Sequence, residues 1–139
     1  MTTTDSRRAA SPAPEVALIV GGGPGISASC ARLFAQSGLS VAMAARRPDK
    51  PVLQALAQSH GVRTYGCDAA DAASVAALFD QVTRELGAPR LVVHNIDGRV
   101  PGIFRKGITE ADPAFALDTL RNAAFSAFLV GQQAARAML

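Results

Sequence analysis

The stretch VALIVGGGPGISASCARLF, residues 16–34, constrains this chain more than any other. Val16 to Val20 form an uninterrupted apolar run, as expected of a strand buried on both faces. Gly21, Gly22 and Gly23 follow at once. A helical pattern then begins near Gly25, with Ile26, Cys30, Leu33 and Phe34 recurring at helical spacing until Gly38. A strand that breaks through glycines into a helix brings the helix's free N–H groups and positive dipole end to one place. Glycines there let a ligand approach the backbone, because no Cβ stands in the way. A diphosphate fits such a junction on physical grounds. The alternative reading is a glycine-rich turn that binds nothing.

The alternation continues. SVAMAA (40–45) reads as a second strand, and PDKPVLQALAQSHG (48–61) as a helix that starts after its second proline and stops at a glycine. VRTYGCD (62–68) reads as a third strand. Val75, Leu78, Phe79, Val82 and Leu86 form an apolar stripe that predicts an amphipathic helix over 71–86. RLVVHN (90–95) is a fourth strand, 96–112 a loop, and 113–139 a helical segment almost free of charge. Strands alternating with helices imply an α/β fold with a parallel sheet covered on both faces. The 139 residues leave room for one domain, read as 15–139 behind a flexible tail, 1–14.

Composition removes several function classes. The net charge of +3 is spread along the chain without a basic, aromatic-bearing face, so nucleic acid is not expected as a partner. No apolar stretch approaches the roughly 20 residues of a membrane helix, so no membrane partner is expected. Arg7-Arg8 is followed by Ala, Ser and Pro rather than by an export signal's apolar core. Cys30 and Cys67 lack metal or redox spacing and read as small buried thiols of a cytoplasmic protein, with no metal site.

Arg46 and Arg47 lie just past the second strand, where the adenosine ribose of a dinucleotide on the glycine loop would sit. An acidic residue there would accept from both ribose hydroxyls and favour NAD. A guanidinium cannot accept, but its fork grips a 2′-phosphate. The arginines therefore point to NADP in preference to NAD.

These residues resemble the short-chain dehydrogenase/reductase family. Its glycine signature, Thr-Gly-x-x-x-Gly-Ile-Gly, aligns without a gap on residues 20–27: Gly21, Gly25 and Ile26 match, while Val20 and Ser27 replace the Thr and the last Gly. CDAADAASV is similar to the family's segment after the third strand, which makes Asp68 the residue that contacts adenine. LVVHNIDG is similar to Leu-Val-Asn-Asn-Ala-Gly, so Asn95 matches the second Asn, with Ile96 and Asp97 in place of Ala-Gly. The final helix is similar to the one carrying the family's catalytic Asn. Anchored on Phe128, Leu129 and Val130, that Asn falls on Ala123; anchored on Phe115, it falls on Asn122. One residue along a helix is about 100° of rotation, so only one of the two can face the site. A helix rarely absorbs an insertion, which favours Ala123.

The resemblance implies a three-layer Rossmann-type doubly wound sheet, incomplete at about four strands in order 3-2-1-4. It implies a cofactor site of Gly21, Gly23, Gly25, Ile26, Arg46, Arg47, Asp68 and Asn95. It also implies hydride transfer between a nicotinamide and a carbonyl or alcohol carbon, assisted by a Ser and a Tyr-x-x-x-Lys pair. The sequence holds one tyrosine, Tyr65, two lysines, Lys50 and Lys106, and no Tyr-x-x-x-Lys, so no catalytic residue is assigned. The chain thus looks like the cofactor-binding front part of such an enzyme, truncated before its catalytic residues. The competing readings are a dinucleotide-binding sensor or regulatory module, an interaction protein keeping only the fold, and a methyltransferase, which would want an acidic residue where Arg46 stands. An uncovered fourth strand and an apolar final helix predict self-association.

Overall fold

The computed structural model describes residues 11–139. Most of the predicted tail lies outside the described residues; residues 11–14 are exposed and in neither helix nor strand. Four parallel strands form one sheet: β1 (Val16–Val20), β2 (Ser40–Ala45), β3 (Arg63–Gly66) and β4 (Pro89–His94), in the expected order β3-β2-β1-β4. In register, Leu18 sits beside Ala42 and Val92. All five β1 residues are buried, as the unbroken apolar run requires of a central strand.

Side chains alternate across the sheet, so β1 feeds two cores. Leu18 and Val20 join Val75, Leu78, Phe79 and Val82 of α3 (Ala72–Glu85) with Leu129 and Val130 of the last helix. Ile19 joins Met43 and Leu53 on the other face, under α1 (Ile26–Gln36) and α2 (Pro51–His60). Each fully buried aliphatic side chain stabilises the fold by roughly 1.5–3 kcal/mol. Pro51 occupies the first turn of α2, where its missing N–H costs nothing, and Gly61 ends that helix at φ +66°.

One apolar stripe faces the core only in part, through the half-buried Cys30 and Phe34. In α1 the buried residues are Ser27, Ala28 and Ala31, whereas Ile26 is 68% and Leu33 60% exposed. The helix lies close to the sheet, and only small side chains fit beneath it; the larger residues stand at its margin.

The final segment follows expectation except at one point. α4 (Pro113–Leu120) and α5 (Ser126–Met138) are joined by a wide π turn, Arg121–Phe125. The turn admits an extra residue without breaking the rod. Among the described residues, β4 pairs only with β1, and Leu117, Leu120 and Phe128 of the final segment are largely exposed.

Candidate functional site

In this strand order the chain steps one way from β1 to β3 and then jumps back past β1 to β4. Such a reversal leaves a crevice beyond the carboxyl ends of the strands. Here it is a cleft of about 370 Å³, lined by Val20, Ala45, Cys67 and Asn95 from the ends of all four strands.

The glycine loop forms one wall. Gly21 extends the sheet by one rung, donating to the Ala44 carbonyl at 2.9 Å, while Asn95 donates its backbone N–H to Val20 at 2.9 Å. Gly21 holds φ +113°, and a Cβ there would stand 2.0 Å from the Asn95 carbonyl oxygen, so only glycine fits. Gly23 has nothing within 4 Å of its would-be Cβ and opens onto the cleft. Beyond it, Gly25 caps α1, with no side chain bonded to that terminus and no acidic residue in the first turn. The helix's leading amides and dipole are thus left without a protein counter-charge.

Gly21, Gly23, Arg46, Asp68 and Asn95 all line the cleft, so five of the eight expected site residues converge. Gly25 and Ile26 lie outside the lining, as does Arg47, which pairs with Asp49 at 3.7 Å. Asp68 accepts from the Ala70 N–H at 3.0 Å in the turn after β3, while Asp71 caps α3 by accepting from the Ser74 N–H at 2.8 Å. Ser27, in place of the family's third glycine, is fully buried and accepts from Asn95 Nδ2 at 2.9 Å.

The preference for Ala123 over Asn122 as the cleft-facing residue is reversed. A wide turn interrupts the regular helix here. It places Asn122 on the cleft and packs Ala123 against Gly98, where an added Cβ would come within 2.5 Å.

Three charged residues of the cleft were not singled out in the sequence. Lys50 lines it and reaches the Gly22 carbonyl at 3.5 Å. Its signal was its place four residues after Arg46, at the mouth of the same strand. Asp97 and Arg99 form a two-pronged ion pair at the mouth, and the Arg99 hydrogen bonds hold the Asp97 carboxyl down at about 2. That pair depends on how loop 96–112 folds, which has no periodic signature.

Tyr65 points elsewhere. Its hydroxyl donates to Glu85 Oε2 at 2.9 Å, beside Arg63, and burial followed by that hydrogen bond pushes its pKa up to about 12. Among the described residues, no group of His, Cys, Asp or Glu could hold a metal ion, and no helix is long and apolar enough to cross a membrane.

A family model described as Enoyl-(Acyl carrier protein) reductase matches residues 21–139. The chain belongs to the short-chain dehydrogenase/reductase family. An uncharacterized oxidoreductase of Caenorhabditis elegans is 39% identical over 89 residues, which is 60% of this chain and 28% of that protein. A probable 2,4-dienoyl-CoA reductase of the same organism is 37% identical over 91 residues, 60% of this chain and 29% of that one. A short-chain type dehydrogenase/reductase from Mycobacterium marinum superposes with TM-score 0.80 at 28% identity, covering 91% of this chain and 51% of that one. The chain thus spans about half the length of that structure, and the curated matches cover less than a third of those relatives. Two structures share the fold at lower identity. One is an actinorhodin polyketide ketoreductase with NADPH: TM-score 0.77, 24% identity, 90% of this chain and 48% of that one. The other is an enoyl-(acyl-carrier-protein) reductase from Anaplasma phagocytophilum with NAD: TM-score 0.80, 22% identity, 91% of this chain and 50% of that one. Nicotinamide dinucleotides are thus the ligands that these neighbours hold.

Proposed function

We propose that this chain binds NADP(H) in the cleft and forms the cofactor-binding portion of an oxidoreductase acting on a carbonyl or alcohol. The observation that carries this reading is the meeting of an uncapped helix terminus, an open glycine wall and Arg46 at one crevice. The cofactor's diphosphate fits against the amides between Gly23 and Ile26. Arg46 grips the 2′-phosphate with its fork, and Lys50 adds a second cation beside it. Asp68 takes the adenine end, and Asn95 supports the wall nearest the nicotinamide. Asn122 lines the same cleft from the final helical segment. Arg47, engaged with Asp49, lies outside this set. When bound, the nicotinamide supplies the hydride.

A second reading is a dinucleotide-binding sensor without chemistry. The sole tyrosine is committed to Glu85, so these 139 residues bring no phenolic acid to the cleft. On either reading the chain acts in the cytoplasm and self-associates through the exposed apolar side chains of the final helical segment.

Titration with NADPH and NADH tests the proposal, with a clear preference for NADPH expected. Equal affinities overturn the preference, and no binding of either at millimolar concentration overturns the reading. Turnover of a carbonyl substrate by this chain alone excludes the sensor.

A further inference from the structure

We propose that His94 is a positioning residue for Asn122, acting through Ser126. This rests on the dinucleotide reading of the cleft and adds to it the device that sets which residue of the wide turn faces the ligand.

Ser126 is fully buried, and its hydroxyl has three polar neighbours. Oγ lies 2.6 Å from the Asn122 carbonyl oxygen, 3.1 Å from that of Ala123 and 2.8 Å from His94 Nε2. A hydroxyl has one proton, and carbonyl oxygens only accept. A 2.6 Å approach of Oγ to the Asn122 oxygen requires that proton between them. His94 Nε2 must then carry a hydrogen and donate to Oγ. The ring therefore carries a proton on Nε2, and burial pushes its pKa down, toward the neutral form.

The relay ends where the helix departs from regularity. The Ser126 backbone N–H reaches the Arg121 and Ala123 carbonyls and passes over Asn122. The Ser126 side chain takes the Asn122 carbonyl instead. Two consecutive hydrogen bonds thus run from the last residue of β4 to the backbone of Asn122. The next residue along from His94 is Asn95, which lines the same cleft. β4 therefore fixes one cleft residue directly and a second through the relay. The relay thus holds the Asn122 backbone carbonyl from the β4 side while Asn122 lines the cleft.

The test uses the full 139-residue chain. Nitrogen-15 spectra of the free protein should show His94 neutral with its proton on Nε2; a proton on Nδ1 alone overturns the proposal. His94→Leu and Ser126→Ala should each speed hydrogen exchange at residues 121–126 while leaving that of β1 unchanged. Each should also weaken NADPH binding about fivefold, the scale of one neutral hydrogen bond, and abolish the shift of the Asn122 side-chain amide on adding NADPH. His94→Gln, which keeps an N–H of similar reach, should restore both. Unchanged exchange at 121–126 in both variants overturns the relay, as does His94→Gln behaving like His94→Leu. If His94→Leu does not fold, Ser126→Ala and the tautomer decide. If wild-type chain takes no NADPH, the cofactor reading falls, and the tautomer and exchange results alone support or overturn the relay.

Discussion

Asn95 Nδ2 donates to Ser27 Oγ at 2.9 Å, tying the residue after β4 to the first turn of α1. The two positions are 68 residues apart in sequence and meet under the glycine loop. In the family signature the place of Ser27 is a glycine that lets the helix approach the sheet. Here a hydroxyl fits without opening a gap, because the Asn95 amide meets it.

Removing that hydroxyl leaves a half-buried amide without its acceptor. Ser27→Ala is expected to lower stability by about 1 kcal/mol, read as a lower urea midpoint at unchanged slope. An unchanged midpoint would show that water replaces Ser27 at no cost.

Gly21 and Gly23 should separate packing from binding. Gly21→Ala drives a Cβ into the Asn95 carbonyl at a positive φ and should cost on the order of 2–5 kcal/mol, seen in thermal unfolding. Gly23→Ala meets no neighbour within 4 Å and should leave unfolding within about 0.5 kcal/mol of wild type while weakening NADPH in a fluorescence titration. Equal NADPH affinity for Gly23→Ala and wild type would place the diphosphate elsewhere.

Arg46→Ala should reduce NADPH affinity about tenfold to a hundredfold, the range of a charge-assisted contact, and leave NADH affinity within about twofold. A parallel loss for both cofactors would show that Arg46 contacts the shared part of the dinucleotide.

Tyr65 is the sole tyrosine, so phenolate absorbance reports it alone. Its midpoint should lie near 12 in the folded chain and fall in Glu85→Gln, which removes the carboxylate charge and weakens the hydrogen bond. The folded pKa is above the ordinary value of 10, so the stabilisation is complete below pH 10 and is lost as pH rises through about 12. A midpoint at 10 in the folded protein would contradict the half-buried Tyr65–Glu85 contact.

The strands and the α3 stripe were legible in sequence because burial on one or both faces writes a period into the chain. Leu18 and Ile19 announce β1, and Val75, Leu78, Phe79 and Val82 announce α3. The glycine junction was legible because backbone conformation there depends on local residue type. α1 was legible as a helix, but its buried side was not: a close approach to the sheet selects Ser27, Ala28 and Ala31, which carry little hydrophobic signal. The wide turn left no mark, since Arg121-Asn122-Ala123-Ala124-Phe125 contains neither proline nor glycine. It coincides with a contact between His94 and Ser126 across 32 positions, which no local pattern encodes. Arg99 and Asp97 were missed for the same reason, because their loop has no period to read.

The widening at Arg121–Phe125 separates two tasks along the final helical segment. Within it, Asn122 answers to the ligand crevice; behind it, Leu129 and Val130 answer to the hydrophobic interior. Mutation at Asn122 can therefore retune the crevice without touching the residues that carry the interior.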